Sequence, residues 1–343
     1  MENYTMIGVD LAKNVFQLHG ASMNGDVKFR KKLSRPNFQK FMTKHEPCTV
    51  VMEACGSAHY WARELTKLGH EVKLIAAQYV KPFVKRQKND AADAEAIVEA
   101  AQRPRMRFVE PKTEEQQARA VLFRAREKLV SQRTEMINAL RSYLYEFGYI
   151  VPQGRRNLKQ AAIIIESSDC VLPDLVRDIC RGIFEQIDAQ TTRIDAIMQK
   201  IKVQASGGET PKRLQSMPGI GPITALAIEA FAPQMETFKC GRDFAAWLGL
   251  VPKQHSSGGK DKLGRVSKAG QADIRRLLII GAMSRLNWMG QKSIPEGSWL
   301  SRMLAKKPRM LVAIALANKM ARAIWAMLTK KENYRDPAQI VLA

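Results

Sequence analysis

Residues 48–57 read Cys48-Thr49-Val50-Val51-Met52-Glu53-Ala54-Cys55-Gly56-Ser57. An apolar run closed by a carboxylate and followed by small residues predicts a strand buried on both faces, of the kind found in parallel sheets. Working upstream, residues 4–9 form a second apolar run, and this one ends at Asp10. Residues 15–19 and 27–33 read as further strands, with Asn24-Gly25 as the hairpin turn between them. Downstream, residues 58–68 read as a helix stopped by Gly69, and residues 72–75 as another strand. Residues 90–101, rich in Ala and Glu, read as a helix. Three strands followed by strand–helix units predict a mixed α/β domain over residues 1–112.

Beyond it the composition changes. In residues 113–147, Met136, Leu140, Leu144 and Phe147 recur at helical spacing. From about residue 175 to 203, Ile179, Ile183, Ile187, Ile194, Ile197 and Ile201 do the same. A break lies at Pro152-Gln153-Gly154, and Ser206-Gly207-Gly208 closes the second stretch. Two long amphipathic helices predict a helical hairpin or coiled coil over 113–210, serving either as a packing layer or for self-association. Residues 211–343 read as mainly helical, interrupted by a loop at 252–265 that holds Lys253, Lys260, Lys262 and Arg265. The tryptophans Trp247, Trp288, Trp299 and Trp325 read as core residues.

The chain has 343 residues, with 55 Lys and Arg against 33 Asp and Glu, a net charge of +22. Apolar residues make up 45%, enough for packed cores, so a disordered basic tail is excluded. So large a positive charge calls for an anionic partner, of which nucleic acid is the usual one and an acidic membrane surface the alternative. The excess is uneven: residues 1–112 carry 19 basic and 12 acidic groups, residues 113–210 carry 14 and 13, and residues 211–343 carry 22 and 8. The last third thus holds most of it. The start of the chain lacks the basic and apolar regions of a signal peptide. Residues 311–328 are interrupted by Asn318, Lys319 and Arg322, which suits a buried helix better than a membrane span. Five cysteines without a CxxC pair fit reduced thiols and a cytoplasmic location.

Four carboxylates fall where a sheet could gather them. Asp10 and Glu53 end strands, and Asp90 and Asp93 share one face of a helix. They are either surface groups and helix caps, with Asp90 a good N-cap, or a cluster held together by divalent cations. Four acids that close repel one another unless cations lie between them. All-oxygen ligands suit magnesium or manganese, the ions of phosphodiester chemistry. Asp on a first strand, Glu on a later strand and Asp on a helix is the order of the RNase H-like fold.

Two words stand out in the basic third. In Met217-Pro218-Gly219-Ile220-Gly221-Pro222, Gly219 and Gly221 open a helix. This is either an ordinary helix–helix turn or the hairpin of a helix-hairpin-helix element, whose amides bind phosphate. In Gly264-Arg265-Val266-Ser267-Lys268-Ala269-Gly270, a serine sits among cations before a helix carrying Arg275 and Arg276. Ser267 either caps that helix or attacks a phosphodiester, the cations stabilising the developing charge.

Together with Gly8-Val9-Asp10-Leu11-Ala12-Lys13, Met52-Glu53-Ala54-Cys55-Gly56-Ser57 and Lys88-Asn89-Asp90-Ala91-Ala92-Asp93-Ala94, these words resemble the DEDD transposases of bacterial insertion sequences. The N-terminal domain of that family is similar to the RuvC Holliday-junction nuclease. Cys55 and Asn89 depart from the family's words, where threonine is common at both positions, but neither removes a carboxylate. The resemblance implies a RuvC-like domain at 1–112, a coiled-coil region at 113–210 and a serine-bearing transposase domain at 211–343. It implies Asp10, Glu53, Asp90 and Asp93 as catalytic magnesium ligands and Ser267 as the nucleophile that becomes linked to DNA. Gly219, Gly221, Lys260, Lys262, Arg265, Lys268, Arg275 and Arg276 would then contact nucleic acid. It further implies donor and target DNA, a structured noncoding bridge RNA as guide, and a dimer to tetramer. The rival expectation is a metal-dependent nuclease that hydrolyses branched DNA with water and leaves Ser267 idle.

Overall fold

The computed structural model describes residues 6–22, 24–84, 90–167, 169–290, 294 and 297–336, with only the backbone given at Asp90, Ala91 and Arg155. The chain divides into two compact units, residues 1–114 and 115–343.

The first unit is a six-stranded sheet with helices on its faces. Strands β1 (Met6–Leu11), β2 (Val15–Ala21) and β3 (Val27–Ser34) form an antiparallel meander. Helix α1 (Arg35–Lys44) leads to β4 (Thr49–Glu53), which pairs with β1 in parallel. Helix α2 (Ala58–Lys67) leads to β5 (Glu71–Ile75), parallel to β4. The short helix α3 (Ala77–Val80) and then α4 (Asp90–Ala101) precede β6 (Phe108–Val109), antiparallel to β5. The spatial order is β3-β2-β1-β4-β5-β6. Side chains of a strand alternate between faces, and the two faces carry separate cores. Ile7, Val9, Val50 and Met52 pack with α1 and α2, through Phe38, Met42, Trp61 and Leu65. Met6 and Val51 pack on the opposite face with Ala96, Ile97 and Val98 of α4. The edge strand β3 exposes Lys28, Arg30, Lys31 and Lys32, charges that discourage pairing with another chain.

The unit ends in a clamp. His59 Nδ1 accepts the Lys112 N–H at 3.1 Å and Arg63 donates to the Lys112 carbonyl at 2.8 Å, so α2 satisfies both polar groups of one residue. Burial, followed by the charges of Lys112 and Arg63, pushes His59 down from an ordinary value near 6.5 to about 4. The unfolded chain therefore binds a proton that the folded chain refuses between those values. Stability is full above pH 6.5 and falls as pH drops towards 4, by about 2 kcal/mol once partial exposure is allowed for. Urea unfolding at pH 7.5 and 5 should show this fall, and it should shrink in His59→Gln. An equal pH dependence in the two proteins would exclude His59 as its source.

Among its described residues the second unit is helical apart from one hairpin. Helix α5 (Glu114–Glu146), α6 (Leu158–Glu166) and α7 (Asp174–Ser206) form its extended part. Helices α5 and α7 run antiparallel, as the pairs Arg126–Met198 at 3.1 Å and Arg133–Thr191 at 3.3 Å show. The buried residues of α7 include Cys180, Ile187, Ile194 and Ile201, spaced seven apart. The first two join Ile137, Leu140 and Leu144 of α5 and Leu158 and Ile165 of α6 in one core. Phe147 lies just beyond α5 and is exposed, so the apolar repeat overran the helix by one residue.

A larger core gathers α8 (Glu209–Gln215), α9 (Pro222–Phe231), α10 (Gly241–Trp247), α11 (Ala272–Gly290), α12 (Trp299–Lys306) and α13 (Arg309–Lys330). Helix α13 is long and apolar enough to cross a membrane by composition. Its buried face, with Val312, Leu316, Met320 and Ile324, belongs to this core. Residues 252–265, expected as a loop, instead contain β7 (Pro252–Gln254) and β8 (Leu263–Val266), an antiparallel pair. Trp288, expected in the core, is exposed, whereas Trp247, Trp299 and Trp325 pack against it.

Candidate active site

In the first unit the strand register brings acids together. Val9 pairs with Met52 across the parallel β1–β4 ladder, so Asp10 and Glu53 follow as neighbours at the carboxyl ends of the two central strands. By alternation both belong to the face that carries α4, opposite the Ile7, Val9 and Met52 face. Gly8 lets α4 settle there. A Cβ at Gly8 would stand 2.5 Å from the Ala94 carbonyl and 2.5 Å from Val98 Cγ2. The helix backbone thus lies directly on β1, and Asp93, one residue before Ala94, comes level with the strand ends.

The electrostatics agree with this placement. Burial and then the neighbouring Asp93 carboxylate raise Glu53 above the usual carboxylate range. The Cys55 thiol is raised by burial, then by Glu53 and Asp10. Asp10, Glu53 and Asp93 therefore share one half-buried locality, with Cys55 beside it. Hard carboxylate oxygens at the ends of sheet strands are a donor set suited to a divalent cation. Among the described residues, no three His, Cys, Asp or Glu side chains stand close enough to enclose one. The Asp90 side chain, the expected fourth ligand, lies outside the described residues; its backbone opens α4.

In the second unit Ser267 occupies a turn between β8 and α11. The turn is built against residues 247–251. Ser267 N–H donates to the Val251 carbonyl at 2.8 Å, Lys268 N–H to Gly249 at 3.2 Å and Gln271 N–H to Trp247 at 3.3 Å. Lys268 is left-handed, with φ 54°, a conformation that costs a non-glycine residue about 1 kcal/mol. So close an approach requires glycine on each side. A Cβ at Gly249 would overlap the Ala269 backbone, and one at Gly270 would overlap the Trp247 carbonyl. The left-handed lysine and these two packing glycines had no partner visible in the sequence, because each answers to a segment some twenty residues away.

The basic groups divide into two kinds. Lys253, Lys260, Lys262 and Arg265 are exposed on the β7–β8 arm and Lys268 is exposed beside Ser267. The arm is ordered by its own bonds. Ser256 donates to Asp261 at 3.2 Å and accepts the Lys262 N–H at 3.1 Å. Arg275 and Arg276, by contrast, are engaged by the protein: Arg275 bonds the Leu248 carbonyl and the Ala269 carbonyl of the turn, and Arg276 pairs with Glu127.

The two hairpin glycines also differ. Gly219 has φ 91° and packs backbone to backbone on Gly281 of α11, so its lack of a side chain is accounted for by helix packing. Gly221 is the N-cap of α9, with open space where a Cβ would be. Gly281 carried no signal in the sequence, since a glycine inside a helix only acquires meaning from what crosses it.

The strand order and directions of the first unit, with acids at its central strand ends, define an RNase H-like domain attached to a helical unit with a serine turn. Residues 7–148 match a transposase family model of the IS110 DEDD type. Residues 211–295 match the model described as the transposase IS116/IS110/IS902 family. A probable family 20 transposase of Pseudomonas aeruginosa is 44% identical over 97% of this chain and 99% of its own length. The transposase for insertion sequence element IS1328 of Yersinia enterocolitica is 40% identical, over 96% and 98%. The transposase for insertion sequence element IS1111A of Coxiella burnetii is 37% identical, over 98% and 92%. This chain belongs to the IS110-type DEDD transposases of insertion sequences, enzymes that act on DNA.

Proposed function

We propose that this transposase cuts and rejoins DNA through a covalent link to Ser267. The observation that carries the proposal is the position of that hydroxyl. It lies on a clamped strand-to-helix turn, at the root of an exposed basic arm. Ser267 Oγ attacks the scissile phosphorus and gives up its proton to solvent or a carboxylate. One P–O bond to the protein forms as one P–O bond within the strand breaks, and the leaving oxygen departs as a hydroxyl. The number of phosphoester bonds is conserved, so a second hydroxyl can reverse the step and join strands without an outside energy source. Lys260, Lys262, Arg265 and Lys268, with the N-terminus of α9 at Gly221, neutralise and seat the phosphates.

Asp10, Glu53 and Asp93, with Asp90, would hold magnesium or manganese, which when bound stabilises charge on the phosphate. The resemblance of the three acidic words and the Ser-Lys-x-Gly word to the family extends the proposal further. It adds guidance by a bridge RNA, a dimer to tetramer built through the 113–210 helices as a coiled coil, and work at the bacterial nucleoid. The test is to trap the protein on cleaved DNA under denaturing conditions and map the modified peptide. The expected result is a nucleotide on Ser267. Cleaved DNA with free ends and unmodified protein would instead mark a hydrolytic nuclease.

A further inference from the structure

Arg275 sits where its charge suggested phosphate binding, yet its guanidinium faces the protein. Its Nη1 donates to the Leu248 carbonyl at 2.9 Å and to the Ala269 carbonyl at 3.4 Å. One planar group thus ties the 247–251 segment to the far side of the serine turn. The backbone bonds of Ser267 and Lys268 hold the near side. Between the two anchors stands Lys268, in its left-handed conformation. An unanchored lysine would relax to an ordinary φ and carry the Ser267 backbone with it. Gly249 fits the same design, since a Cβ there would stand 2.9 Å from Arg275 Nη1 as well as overlapping Ala269.

We propose that Arg275 is a positioning residue, a clamp that holds the Ser267–Lys268–Ala269 turn in its strained form and so fixes the nucleophile's direction of attack. The proposal rests on the reading of Ser267 as nucleophile. A displacement of about 1 Å at a reacting atom costs on the order of 100-fold in rate. Both bonds leave Nη1 at the far end of the side chain, and a lysine ammonium, on a shorter side chain, should hold the turn less well.

The experiment uses the full chain as Arg275→Ala and Arg275→Lys, with two readouts. Amide hydrogen exchange at residues 267–269 reports the clamp without any chemistry. The first-order rate of adduct formation at saturating DNA reports its consequence. Arg275→Ala is expected to speed exchange at the turn and slow adduct formation by about 10- to 100-fold. Its DNA affinity and the salt dependence of that affinity should stay as in the parent. Arg275→Lys should fall between, and added guanidinium ion should restore part of the alanine variant's rate. Unchanged exchange overturns the clamp. So does weaker binding with a salt slope reduced by about 1 at an undiminished saturated rate, which would make Arg275 a phosphate contact. Loss of the fold in both variants would make it a core structural group and equally overturn the proposal. An adduct mapped away from Ser267 in the parent removes the nucleophile reading and the positioning role with it, and the parent protein alone decides that.

Discussion

Asp10→Asn is expected to lower DNA strand cleavage by about 1,000-fold or more, some 4 kcal/mol of transition-state stabilisation, while leaving the fold and DNA affinity near those of the parent. The size follows from position. Asp10, next to last in the central strand β1, stands beside Glu53, whose carboxyl is raised by burial and then by the neighbouring Asp93. Asparagine keeps the volume and one oxygen of the side chain but removes the charge a cation requires. Binding of manganese, followed by calorimetry without DNA, should weaken in parallel, which separates ligand loss from a fault in the chemistry. Glu53→Gln should behave alike, because its carboxylate ends the neighbouring strand on the same face. Full cleavage by a folded Asp10→Asn protein would remove the carboxylate cluster from the mechanism. Unaltered manganese binding would do the same for the metal assignment.

Much of this site was legible because the information is local. An unbroken apolar run bounded by polar residues marks a strand buried on both faces. A carboxylate at the end of such a run must lie at the end of a strand. The helix at residues 90–101 was readable from its Ala and Glu content, and α4 spans those residues. What escaped the sequence depends on contacts between distant segments. The β7–β8 hairpin is short, polar and rich in Gly and Lys, so neither propensity nor alternation marks it. Helix α1 follows β3 through Ser34-Arg35-Pro36 and buries only Phe38 and Met42, too thin a stripe to announce itself. Arg275 and Arg276 show the limit for charge. A basic residue in a basic segment reads as a nucleic-acid contact until a carbonyl or a glutamate is found in front of it.

The same dependence on close packing makes Gly8 the residue through which the fold controls the acids. Gly8→Val is expected to destabilise the first unit by about 3 kcal/mol, near the upper end for overpacking, because the obstacle is mainly backbone. A Cβ there meets the Ala94 carbonyl at 2.5 Å, and the branched methyls add to the overlap with Val98. A carbonyl inside a helix cannot swing aside, so α4 must lift from β1 as a body. Asp93 rides on α4 directly before Ala94, and so it withdraws from Glu53 as the helix lifts. Hydrogen exchange should therefore quicken in β1 and α4 but not in the α5–α7 hairpin. Manganese binding and cleavage should fall even under conditions where the protein remains folded. If Gly8→Val retains the parent's exchange pattern, the helix is not seated on the strand as described. If it loses stability but binds manganese as the parent does, Asp93 contributes nothing to the cation. Gly8→Ala grades the effect: its single carbon still meets both the Ala94 carbonyl and Val98 Cγ2 at 2.5 Å but lacks the two methyls of valine, so a smaller loss in the same two measurements is required.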